Sequence, residues 1–238
     1  MNKPRFFRLI IWLILATGCS KPDLYLPVND NPGRSGINDL SQVLIFFKTE
    51  GADTLADMHA GQIITSTHWV VHIDRRLPMK TLVTPLQYLL KKRHKKSIHS
   101  KPGSKLYLSY TDTVRKRLSV VDFTRRRIRS PFYHSREYVR RYPARFRGKK
   151  VTHAVLHPSV LWLDSLRFAF PAEKQRAAAY LKHLLKQDES PRLLMFNVDH
   201  RVNYGLFNDA YGFLMNIDSI RFPLAEDIFI FNPQESSL

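Results

Sequence analysis

The chain has 238 residues, 44% of them hydrophobic, with 38 Lys and Arg against 20 Asp and Glu. That apolar content supports one large or two small cores and excludes a disordered polymer. The single cysteine, Cys19, excludes an intramolecular disulfide.

The net charge is +18, and it is uneven. Residues 91–150 hold 21 Lys and Arg against Asp112, Asp122 and Glu137, so the whole excess lies in that block.

The N-terminus carries Lys3, Arg5 and Arg8, then an apolar run from Leu9 to Ala16, then Leu15-Ala16-Thr17-Gly18-Cys19. A basic start and a short apolar stretch are the pattern of a signal peptide, too short to span a bilayer. The small residues before the cysteine resemble the lipobox of bacterial lipoproteins, with Ala16 where leucine is commoner. The resemblance implies cleavage after residue 18, with lipid (palmitate among its chains) attached to Cys19. It places the protein in the cell envelope of a Gram-negative bacterium, anchored to the inner or outer membrane. Residues 20–40 contain Pro22, Pro27, Pro32, Gly33 and Gly36 and read as a flexible tether, giving a lipidated cysteine and spacer over 19–40.

A first α/β module is expected over 41–123. Gln42–Lys48 is a buried strand, 51–57 a turn region, and 62–73 one or two strands rich in β-branched residues. Thr84-Pro85-Leu86-Gln87 reads as a helix start, with Leu86, Leu89 and Leu90 on its apolar side and KKRHKK at its end. Lys105–Tyr110 alternates as a strand ending near Asp112, and 118–123 is a further strand. Residues 124–150 interleave arginine with Phe132, Tyr133, Tyr138, Tyr142 and Phe146 and read as a basic connector with a short helix near 135–142.

The second module, over 151–232 with a tail at 233–238, is clearer. Val160–Phe170 alternates as one strand. Pro171 and Glu173 open a helix whose apolar face is Ala177, Leu181, Leu184 and Leu185. Leu193–Val198 is a buried strand closed by Asp199. Asn203 caps a helix with Leu206, Ala210, Phe213, Leu214 and Ile217 on one face, and 219–224 is the closing strand. The fold class is therefore α+β, two related β-α-β-α-β-like modules. Thr67–His72 and Thr152–His157 echo each other at an offset of 85, and 105–112 and 192–199 at 87, which suggests a duplication.

The segment RLLMFNVDHRVNYGLFNDAYGFLMNIDSIRF, with Asp199 after a strand and Tyr204 opening a helix, resembles in order the periplasmic domain of the ExbD and TolR family. The family's transmembrane helix with an acidic residue has no counterpart here. What the resemblance implies is a periplasmic interaction module, with a homodimer among its arrangements.

The sequence contains no GxSxG, GxxxxGK[ST] or GxGxxG. HWVVH and HAVLH have helical metal spacing but sit in strand-like runs. There the two histidines lie ~13 Å apart, so neither a metal nor another cofactor is expected. Asp74, Asp164 and Asp199 follow strand-like runs, where a carboxylate most often caps a turn.

The reading is a lipoprotein acting as a non-enzymatic interaction module, docking to an envelope protein or peptidoglycan, with no nucleic-acid partner. Its alternatives are a periplasmic enzyme with an unrecognised site, and a basic binder of anionic lipid or lipopolysaccharide. The site residues are Cys19 for lipid attachment, and Arg125, Arg126, Arg127, Arg140 and Arg141 for an anionic surface.

Overall fold

The computed structural model describes residues 23–61, 63–95, 101–129, 134–187, 190–217 and 222–234. Cys19 and the signal-peptide pattern lie outside them.

The first sheet is built from β1 (Val28–Asn29), β2 (Leu40–Glu50), β3 (Asp53–His59), β4 (His68–Ile73), β5 (Leu106–Asp112) and β6 (Arg117–Asp122). β2, β4 and β5 run parallel, while β3 and β6 close the sheet antiparallel at its two edges. β1 continues along the β4 edge of β5, beyond the end of β4. The second sheet has the order β10 (Leu166–Ala169), β9 (Val160–Leu163), β8 (Lys150–His157), β11 (Arg192–Asp199), β12 (Leu224–Phe231), β7 (Arg127–Arg129). Its last four strands are parallel.

Helix α1 (Met79–His94) links β4 to β5, α3 (Lys174–Gln187) links β10 to β11, and α4 (Tyr204–Ile217) links β11 to β12. A short α2 (Ser135–Arg141) precedes β8. The architecture is α+β in two modules, as read from the sequence.

Both modules share one core. Trp69, Val71 and Leu108 of the first sheet, Phe196, Val198 and Ile228 of the second, and Leu82, Leu181 and Leu214 of the helices belong to one buried cluster. Of the residues expected to converge beneath a sheet, Leu181, Phe196 and Leu214 are fully buried, and Leu185 and Leu206 pack at its margin. Ile220 lies outside the described residues.

The two modules correspond in a different register from the echo at 85 to 87. β4 and β11 are each the middle of three parallel strands, and each ends in an Asp-X-Arg turn 125 positions from the other. Asp74 Oδ1 accepts from Arg76 N (3.0 Å) and Nε (2.9 Å), and Oδ2 accepts from Nη2 (2.7 Å). Asp199 repeats this with Arg201, at 2.9, 3.0 and 2.7 Å.

The two turns then cap each other's helices. Met79 N donates to Val202 O (2.8 Å) and Tyr204 N to Leu77 O (2.7 Å). Lys80 N donates to His200 O (2.9 Å) and Gly205 N to Arg75 O (3.0 Å). The bonds are reciprocal at a constant offset of 125, so the contact between the two turns has the local two-fold symmetry of an isologous interface.

That contact corrects the expected start of α1. The helix begins at Met79, not Thr84, with Pro85 inside it. The first-turn N–H groups, normally orphaned, are satisfied by carbonyls from the other module, so the helix extends further back without a side-chain cap.

Other expectations are corrected by local geometry. Residues 51–57 are a tight turn at Gly51 (φ 60°) followed by β3. Val160–Phe170 is not one strand but the β9–β10 hairpin, because Asp164 takes φ 55° and its Oδ1 accepts from His153 N (2.8 Å). The closing strand begins at Leu224, where the expected one ended.

The tether is also revised from residue 23 onward. Asn29 and Asn31 are buried, and their amides bond Asn208 Oδ1 (2.9 Å) and Asp209 Oδ1 (2.9 Å) on α4. Helix α4 is consequently buried on several sides, polar Asn208 and Asp209 included, rather than along one apolar stripe. The basic connector is structured too, since β7 is the edge strand of the second sheet and α2 packs on β11.

Candidate anionic-surface interface and histidine cleft

The basic block divides by what each arginine meets. Arg126 is 7% exposed. Its guanidinium donates to Tyr211 Oη (2.8 Å) and to the carbonyls of Leu224 and Ala225 (3.0 Å each). Arg127 projects from β7 and pairs with Asp227 (2.8 Å) and Glu226 (3.2 Å). Of the five arginines chosen from sequence, Arg126 is therefore walled off from any surface the protein lies against, and Arg127 is already ion-paired. β7 is the reason, because edge pairing turns Arg127 toward the acidic residues of β12. Arg125, Arg140 and Arg141 remain exposed.

Arg140 and Arg141 sit on a ledge whose shape follows from α2. His134 caps the helix, its Nδ1 accepting from Arg136 N (3.1 Å). Tyr138 turns inward against Phe229, Met195 and Ala225. At helical spacing that leaves Arg136, Arg140 and Arg141 outward. A 3₁₀ turn (Pro143–Phe146) continues the ledge through Arg145, Arg147 and Lys149.

Among the described residues, Arg140, Arg141, Arg147 and Lys149 have no carboxylate partner within ion-pair distance. Tyr142, 38% exposed, lies under Arg145 (5.1 Å) and Arg141 (6.0 Å). Cations interleaved with an exposed aromatic ring suit a charged surface with an apolar margin.

At the other end of α2, His134, Arg136, Val155, His157, Trp162, Asp164 and Ser165 line a cleft of about 340 Å³. In sequence, HAVLH shows only strand spacing and His134 stands in no motif, so nothing there signals that these side chains converge. His157 Nδ1 lies 3.1 Å from buried Asp199 Oδ2, and Ser135 Oγ lies 2.7 Å from His153 Nδ1. Burial pushes His134 down to about 3, and the nearby imidazoles and Arg136 oppose its protonation further. Burial likewise pushes His153 down to about 4. Both are neutral at physiological pH.

Ser135 is fully buried, so its hydroxyl is not an accessible nucleophile. Among the described residues, no three His, Cys, Asp or Glu side chains are grouped as a metal ion needs. No helix among those residues is long and apolar enough to cross a membrane. Asp74 and Asp199 serve the two turns. Burial alone would raise both carboxyls, but the hydrogen bonds from Arg76 and Arg201 outweigh it and hold them below the usual range.

No protein-family model, curated protein or solved structure matches this chain.

Proposed function

We propose that the chain is a lipid-anchored lipoprotein of the bacterial envelope and a non-enzymatic interaction module. Its α2 ledge engages the anionic surface or polymer beside which the anchor holds it. The observation that carries the reading is the ledge, where cations without carboxylate partners flank exposed Tyr142 on one side of the second sheet. The second module runs strand and hairpin, helix, strand ending in Asp199, helix, strand, and its role is read here as that of an interaction module like the periplasmic domain of the ExbD and TolR family.

Each surface-proximal Lys or Arg contributes ~1 kcal/mol against an anionic leaflet. The attraction fades over ~8 Å at physiological salt, so the ledge acts only on direct approach.

The test is co-sedimentation with phosphatidylglycerol vesicles of a chain starting at Ser20 with Cys19 removed. Wild type is compared with the combined Arg140→Ser, Arg141→Ser and Arg147→Ser variant. The expected outcome is salt-sensitive binding by wild type that the variant loses. Equal binding by both at low and high salt would remove the ledge from the function. The anchor has its own test, in which Cys19→Ala should leave the protein soluble or as precursor. A mature, membrane-bound Cys19→Ala chain would refute lipid attachment there.

A further inference from the structure

Arg126 is the only Lys or Arg among the described residues that the fold buries. Its partners are a tyrosine hydroxyl, two carbonyls and Met215 Sδ, 2.7 Å from Nη2. All four are neutral. They satisfy donors but supply no counter-charge among the described residues, and a buried ion without one is costly. Arg127, the next residue, has two carboxylates beside it, yet among the described residues none is placed against Arg126.

Arg126 lines a cavity of about 510 Å³ with Gly103, Ser104, Lys105, Asp122, Thr124, Arg125 and Met215. The volume falls within the range of small-molecule sites. The charges in it can be assigned. Lys105 Nζ lies 3.0 Å from Asp122 Oδ2, and Asp122 Oδ1 accepts from Thr124 N (2.9 Å) and Oγ1 (2.6 Å). Burial would raise the Asp122 carboxyl, but Thr124 and Lys105 outweigh it, so Asp122 stays anionic and cancels Lys105. Among the described residues, no carboxylate is paired with Arg125, exposed on the rim, or with Arg126, buried in the wall.

We propose that this cavity binds a phosphate monoester carried on a small polyol or sugar. The phosphoryl dianion supplies counter-charge to Arg126, whose own donors stay on the protein, and to Arg125, whose exposed guanidinium presents an open fork to its oxygens. A monoanionic carboxylate would leave one charge uncompensated. The same headgroup chemistry occurs in lipids and in free sugar phosphates. The inference stands apart from the ledge, which lies on a different segment.

The experiment is isothermal titration calorimetry of the purified full-length chain with glycerol 3-phosphate and with glucose 1-phosphate. Competition by phosphatidate vesicles forms a third arm. The expected result is saturable one-to-one binding of at least one ester that weakens as salt rises. Arg125→Ser should weaken it about tenfold, as removing one close charge partner does. Arg126→Met should abolish it. Arg125→Ser removes only an exposed side chain, so it remains informative if Arg126→Met fails to fold.

The combined Arg140→Ser, Arg141→Ser and Arg147→Ser variant should bind the esters as wild type does, which separates failure of this site from failure of the ledge. Competition by the vesicles assigns the site to a lipid headgroup, and its absence to a soluble ester; either outcome supports the phosphoryl site. Absence of saturable binding at millimolar ester in low salt overturns it. So does an Arg125→Ser variant of unchanged affinity.

Discussion

The Asp199–Arg201 turn allows a prediction that runs against exposure. Arg201 is 57% exposed in its side chain, whereas that of Asp199 is fully buried. Arg201→Met removes the solvent-facing partner and leaves the carboxylate in place. Only Arg201 N and His157 Nδ1 still reach it. The cost falls on the buried carboxylate left without its charged partner, and it exceeds the ~1–3 kcal/mol of a neutral buried acceptor left unsatisfied.

Asp199→Asn removes the charge itself. Arg201 then returns to water, and the loss is that of charge-assisted hydrogen bonds, about 1–3 kcal/mol. The exposed residue should therefore be the more damaging one to change.

The pH dependence has a definite sign. Asp199 has a lowered folded-state pKa, so its contribution is present above the unfolded carboxylate value of ~4 and is lost as pH falls through the folded value. In Arg201→Met the unpaired carboxylate is relieved by taking up a proton, so the gap to wild type should narrow below pH 4. Urea denaturation at pH 7 and at pH 3.5 measures both effects. The reasoning is refuted if Asp199→Asn is the less stable variant at pH 7, or if the Arg201→Met gap widens in acid.

Two further outcomes are expected. His134 and His153 have folded-state values lowered to about 3 and about 4, so the stability they confer is full above pH 6.5 and falls as pH drops toward those values. The slope is at most about 1.4 kcal/mol per pH unit for each. The urea midpoint should drop between pH 7 and 5, and less so in His153→Gln; a midpoint flat over that interval in wild type would show that they are not buried neutral.

Gly212→Ala places a Cβ 2.8 Å from Asn31 Nδ2 and 3.1 Å from its Cγ. In an exposed helix this change gains ~1 kcal/mol. Here it should cost about 1–3 kcal/mol by displacing the amide from Asp209. A gain in urea stability would mean that residues 29–31 are not held on α4.

Local chemistry made the element types readable. The periods of Ala177, Leu181 and Leu184, and of Leu106 and Leu108, are imposed by which face meets a core, and the structure keeps them as helix and strand. Asn203 is an N-cap in sequence and in structure, because its Oδ1 need reach only Leu206 N (2.9 Å), three residues away.

Even the paired turns were written in the chain, as Asp74-Arg75-Arg76 and Asp199-His200-Arg201, each between a strand and a helix. A three-residue match carries little weight until both turns are seen to make the same bonds.

Tertiary structure decided whatever depended on a distant partner. The start of α1 rests on carbonyls of His200 and Val202, more than a hundred residues away, so Pro85 misled as a boundary. The segment from Asp23 to Arg34 has the composition of a spacer, yet Asn29 and Asn31 are ordered by polar groups on α4 that need partners once buried.

Among the arginines, composition located the charge but not its use. Arg125, Arg126 and Arg127 are neighbours in sequence, and the fold sends one to solvent, one into a wall and one to Asp227. Period and capping act within a few residues and can be read along the chain. Burial and ion pairing depend on what the folded chain brings alongside, and only the assembled sheets determine that.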